Sequence, residues 1–127
     1  GKKRVGLLGL SFKPETDDLR ESPMVELAEK LIGKGNDLSI YDKEVSLARI
    51  HGSNKKYIEK MIPHVSSLMK GSVQDVIKVS QVIVIAKKDK EFEGIGAKIN
   101  GDKIIVDFAK IAATPQEKNG LYEGICW

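Results

Sequence analysis

The chain has 127 residues, enough for one domain with a single core, and it is 41% hydrophobic and 31% charged, the balance of a globular domain in water. No run reaches the roughly eighteen consecutive apolar residues of a membrane span, and a net charge of +3 spread over interspersed acids and bases leaves no basic tract for nucleic acid. A lone cysteine, Cys126, excludes an internal disulfide and fits a reducing, cytoplasmic setting, while His51 and His64 stand in no metal-ligand spacing.

The opening "GKKRV" is basic but lacks the apolar core and cleavage site of a signal peptide, and the initial Gly without Met reads as a piece of a longer chain. Residues 4–10, "RVGLLGL", are apolar on both faces, the pattern of a central parallel strand covered on each side. The next element is a helix, "SPMVELAEKLIGKG". Ser22 caps it, Pro23 occupies the first helical position, where no amide donor is missed, and Gly33 or Gly35 ends it in a left-handed cap. A short alternating strand follows at 37–42, "DLSIYD". In the stretch 45–69, "SLARIHG" and "NKKYIEKMI" read as helical, Pro63 breaks the second, and "HVSSLM" reads as extended. "SVQDVIKVS" (72–80) is a helix with Val73, Val76 and Ile77 inward, and "KDKEFEGIGAKI" (88–99) a shorter, irregular one. "QVIVIA" (81–86) and "KIIVDF" (103–108) are continuous apolar strands, and "LYEGICW" (121–127) is a weaker edge strand. Alternation of strand and helix predicts an α/β fold: a Rossmann-like open parallel sheet flanked by helices in three layers, one domain over 1–127.

Ligands of such sheets bind beyond the carboxyl ends of the strands. The connection between the first strand and the first helix, Ser11 to Ser22, lies there, and it is long and charged, with Lys13, Asp17, Asp18, Arg20 and Glu21. A dinucleotide turn needs G-x-G-x-x-G, whereas this chain offers Gly6 and Gly9 inside the strand. Asp42, ending the second strand, mimics the acid that holds a ribose, a weak signal alone. The side chains suit an anion better. Lys13 reaches a phosphate as a point charge, Arg20 forks onto phosphate or carboxylate, and the helix start adds amide donors. Asp17 and Asp18 suit orienting Arg20 and Lys13 or bonding the hydroxyls of a sugar, and serve equally well as turn residues paired with Arg20, while Phe12 reads as packing.

The segment "GLSFKPETDDLRESP" is similar to G-x-x-F-K-x-x-T-D-D-x-R-x-S-P of the UDP-glucose/GDP-mannose dehydrogenases, in the opening strand and loop of their carboxyl-terminal domain. The resemblance continues through "MVELAEKLIGKG" and "LSIYDKEV", and "HGSNKKYIEKMIPHVSSL" and "EGICW" resemble the GDP-mannose branch of that family. It implies an enzyme that oxidises the C6 alcohol of a sugar nucleotide to a carboxylate with NAD, in a setting of polysaccharide biosynthesis such as alginate. The reactive cysteine and the NAD site are then expected in domains outside this chain, which alone is expected to be inactive. A homodimer of the whole enzyme is implied, with GDP-mannose or a related sugar nucleotide as the ligand. Phe12 and Lys13 match the "FK" of the motif, whose lysine contacts the sugar nucleotide, and Arg20 matches its arginine. Where some UDP-glucose members carry Asn-Arg facing the ligand, "VIVIA" is followed here by Lys87 and Lys88, which suit a phosphate contact or a solvated pair at a helix start. Cys126, Tyr122 and Trp127 read as edge packing. A competing reading is a receiver-like interaction module, with Asp17 and Asp18 as its acids, but the aspartate such a module needs at the end of the third strand is absent from "VIVIAKK".

Overall fold

The computed structural model describes residues 2–11, 22–46, 56, 59–60, 65–99, 102–109 and 121–124. Five strands form one sheet: β1 (Arg4–Leu8), β2 (Asp37–Tyr41), β3 (Val82–Ile85), β4 (Ile104–Asp107) and β5 (Leu121–Gly124). All pairings are parallel, in the order β2-β1-β3-β4-β5. The α/β expectation holds, and each strand is shorter than the apolar run that announced it, because pairing stops where the chain turns away.

At the end of β1 the turn is made by Gly9, whose φ of +100° is open to glycine and strained for other residues. Gly9 is therefore the first residue beyond the strand, not a member of it. Gly6 does lie within β1, where a Cβ would come within 2.5 Å of both Ser80 Oγ and Val76 Cγ1, so its bare backbone lets a helix settle close on the sheet.

Alternating side chains feed two cores. On one face Val5, Leu7, Leu38, Ile40 and Val84 pack with Met24, Val25 and Ala28 of α1 (Pro23–Gly33). On the other, Leu8, Ile83, Ile85 and Ile105 pack with Val73, Val76 and Ile77 of α3 (Val73–Val79) and with Phe92, Ile95 and Ile99. The last three belong to or follow two 3-10 turns, Lys90–Phe92 and Ile95–Lys98, the irregular segment expected at 88–99.

The helix ends follow from side-chain chemistry. Ser22 Oγ accepts from the Met24 amide at 3.2 Å with Pro23 next in line. At the far end Gly35, at φ +84°, donates its amide to Ile32 O (2.9 Å), and Asn36 donates to Leu31 O (3.1 Å), a paired closure that satisfies two orphan carbonyls. One expectation fails. Val65–Leu68, within "HVSSLM", is a helical turn (α2), and only Met69 after it is extended, bridging Ile40 along the outer edge of β2. In "NKKYIEKMI" the described Lys56, Glu59 and Lys60 are helical, as expected.

Candidate functional site

The order β2-β1-β3 places the reversal of strand order between β1 and β3, and the crevice above that pair is where open α/β sheets bind ligands. Three strand ends meet beside it: Gly9–Ser11 beyond β1, Asp42–Glu44 beyond β2, and Ala86–Lys88 beyond β3.

Asp42 organises them. Its carboxylate is wholly buried. Oδ2 accepts the amides of Leu10 (2.7 Å) and Ser11 (3.1 Å) and the Ser11 hydroxyl (3.4 Å), while Oδ1 accepts the amides of Glu44 (3.1 Å) and Val45 (3.2 Å). The second pair is an N-cap: residues 43–46 are helical, and the Asp42 side chain satisfies amides that have no partner in the first turn.

The counter-charge comes from Lys87. Its ammonium donates to Asp42 Oδ1 at 2.9 Å and lies 2.8 Å from Oδ2, donates to Ser11 Oγ at 2.7 Å, and reaches Glu44 Oε2 at 3.4 Å. Both side chains of the Lys87–Asp42 pair are fully buried. The stem of Lys87 runs against Gly9, where a Cβ would stand 2.8 Å from Lys87 Cγ. Glycine at position 9 thus serves the turn and the passage of this lysine together.

The connection that begins here is tied at both ends. Ser22 Oγ, besides capping α1, donates to the carbonyl of Leu10 at 2.8 Å, so the residues flanking 12–21 are joined to each other. Nearby, the Tyr41 hydroxyl donates to Glu91, 2.8 and 2.9 Å from the two carboxylate oxygens, and its ring meets Phe92 edge-on at 6.3 Å. Burial first, then that hydrogen bond, then the charges of Glu91, Asp89 and Asp42 raise the Tyr41 phenol well above its ordinary range. Asp107, at the end of β4, is also buried and accepts the Ala109 amide at 2.8 Å.

Among the residues singled out from sequence, Phe12, Lys13 and Arg20, with Asp17 and Asp18, lie outside the described residues, as do Cys126 and Trp127. Lys88 is exposed beside the crevice. Lys87, its neighbour, is turned inward, and a phosphate would reach its ammonium only by opening the ion pair with Asp42. Ser11, Glu44 and the contact of Gly9 with Lys87 were not foreseen. A signal for part of this was present: an acid ending a strand just before a helix is an N-cap pattern, and it names Asp42 as a cap sooner than as a ribose ligand.

The described residues do not fit a dinucleotide. Asp42, in the place of the ribose-binding acid, is spent on its cap, its loop amides and Lys87, and the first turn lacks the glycine pattern that brings backbone to pyrophosphate. Among the described residues no three His, Cys, Asp or Glu side chains converge as a metal site.

A family model described as "UDP-glucose/GDP-mannose dehydrogenase family, UDP binding domain" matches residues 6–114. The chain is 50% identical over 126 residues to a GDP-mannose 6-dehydrogenase of Pseudomonas putida, covering 99% of this chain and 29% of that protein. Among solved structures it resembles a ternary complex of GDP-mannose dehydrogenase from Pseudomonas aeruginosa, at 50% identity and a TM-score of 0.84 over 99% of this chain and 28% of that one. It also resembles a UDP-glucose dehydrogenase from the archaeon Pyrobaculum islandicum, at 28% identity and a TM-score of 0.69, covering 99% and 26% of the two chains. The chain therefore spans under a third of the length of the proteins it matches.

Proposed function

The chain belongs to the UDP-glucose/GDP-mannose dehydrogenase family, and from that membership we propose that residues 1–127 form the sugar-nucleotide-binding domain of an enzyme that oxidises C6 of GDP-mannose to a carboxylate with NAD. NAD and the reactive cysteine belong to other domains of that enzyme, which works as a homodimer and supplies a uronic acid for polysaccharide synthesis. This chain alone binds and does not oxidise.

In this reading the diphosphate lies in the crevice beyond β1 and β3. Lys13 supplies the principal positive charge, Arg20 a forked contact or a brace for its own segment, Phe12 a wall and Lys88 a second, solvent-side cation. Lys87 contributes from beneath, through Asp42 and Ser11. The observation that carries the reading is identity to GDP-mannose 6-dehydrogenases of about half, sustained across the whole sheet and its switch point.

Titration calorimetry of the chain with GDP-mannose, GDP and UDP-glucose tests it. Binding of the guanine ligands is expected, weaker binding of UDP-glucose, and a loss of about tenfold or more in affinity with Lys13→Ala, equivalent to roughly 1.4 kcal/mol. No heat and no chemical-shift change at millimolar ligand, or a Lys13→Ala variant that binds as the wild type does, would overturn this domain as a binder built on Lys13.

A further inference from the structure

We infer that Asp42 and Lys87 are positioning residues for nucleotide binding: their buried ion pair locks the ends of β1, β2 and β3 together and so fixes where the ligand-facing segment 12–21 starts and ends, without either side chain touching the ligand. The inference rests on the sugar-nucleotide reading above.

Three observations carry it. First, six donors from three strand ends converge on one carboxylate: the amides of Leu10, Ser11, Glu44 and Val45, the Ser11 hydroxyl and the Lys87 ammonium. A carboxylate offers about four lone-pair directions, so each of these groups is held with little freedom. Second, Leu10 is gripped at both of its backbone polar groups, its amide by Asp42 and its carbonyl by Ser22 Oγ. Asp42 therefore acts on both flanks of residues 12–21, directly at Leu10 and Ser11 and through Leu10 at Ser22. Third, Lys87 cannot leave this position cheaply. Its stem fills the space that Gly9 leaves open, and its charge has Asp42, Glu44 and Ser11 as partners in the interior.

The energetics point the same way. A buried ion pair adds little to stability beyond what packed apolar side chains of equal volume supply, because desolvation offsets most of the attraction. What it adds is geometry. Apolar side chains pack in several arrangements, whereas a carboxylate with an ammonium and four amides around it has one. A site that must meet a diphosphate with a lysine three positions beyond Leu10 depends on that geometry.

The test compares Lys87→Met, which keeps the stem and removes the charge, and Asp42→Asn with a control, Val76→Ala, which opens a void in the opposite core. All are titrated with GDP-mannose at a temperature where circular dichroism shows every variant fully folded. A positioning role predicts that Lys87→Met and Asp42→Asn each weaken binding about tenfold or more while Val76→Ala stays within about twofold of the wild type. Unchanged affinity in folded Lys87→Met, or an equal loss in Val76→Ala, overturns it. Amide hydrogen exchange gives a readout independent of any ligand. In both pair variants the Leu10 and Ser11 amides should exchange about a hundredfold faster than in the wild type, with Ala28 in α1 unaffected. Retained protection at Leu10 and Ser11 also overturns the inference. If the wild type binds no sugar nucleotide, the functional reading fails, and the exchange result alone judges whether the pair holds this junction.

Discussion

At the scale of single residues, Gly9 and Lys87 form one unit. A methyl group at position 9 meets a φ of +100°, the Lys87 stem at 2.8 Å and the Lys87 backbone nitrogen at 3.2 Å. Backbone strain costs about 1–2 kcal/mol and overpacking about 1–3 kcal/mol, so Gly9→Ala should destabilise the fold by roughly 2–5 kcal/mol in chemical denaturation. Lys87→Ala removes one partner of a buried pair and should cost about 3–5 kcal/mol by itself. The two losses should not add. With the stem gone the tightest contact is relieved, leaving the φ strain and a 3.2 Å approach to the Lys87 backbone nitrogen, so the double variant should be more stable than the sum predicts by about 1–2 kcal/mol. Strict additivity would show that the two residues do not share this space.

Among the elements, the joint between β1 and α1 places two fastenings on a single atom. Ser22 Oγ caps the helix and holds the Leu10 carbonyl. Ser22→Ala should therefore cost more than an ordinary cap, about 2 kcal/mol against about 1 for a cap alone, measured by urea denaturation and checked against Ser72→Ala, since Ser72 caps α3 through Asp75 only. The two ends of α1 were legible in the sequence, while the Ser22 bond to Leu10 was not. Ser-Pro before an apolar stripe, and Gly35 after it, are local chemistry, and local chemistry is what a sequence displays. The same holds for β1 and β3, whose apolar runs announce burial on both faces, and for the apolar run of β4, which is fully buried on one face and half-buried on the other. "HVSSLM" was misread because Val65 and Leu68 suit a strand as well as a helical turn, and the choice is made by Met69 docking on β2, a tertiary contact. The Lys87–Asp42 pair was illegible for a stronger reason. Its members lie 45 positions apart, and only the order β2-β1-β3 brings their strand ends together.

For the molecule as a whole, the sheet is a partition between two cores, and its alkaline stability reports on one of them. The Tyr41 phenol keeps its proton above the ordinary tyrosine value of 10.0 because it is buried and bonded to Glu91. Below about pH 10 the folded and unfolded chains both hold that proton, and the contribution of Tyr41 is complete. Above it the unfolded chain releases the proton while the folded chain retains it, so stability falls as pH rises. Tyr41→Phe should be less stable at neutral pH, having lost the Glu91 bond, and its stability should decline less steeply above pH 10 in denaturation series. Parallel slopes for the two proteins would remove Tyr41 from the account. The junction of the three strand ends bears on engineering as well. Anyone transplanting the stretch between Leu10 and Ser22 from a relative would be moving a part without its mount. Position 9 lies just before the transplant, positions 42 and 87 are remote from it in sequence, and all three meet its anchored start at Leu10 and Ser11, so they would have to travel with it as a single cassette.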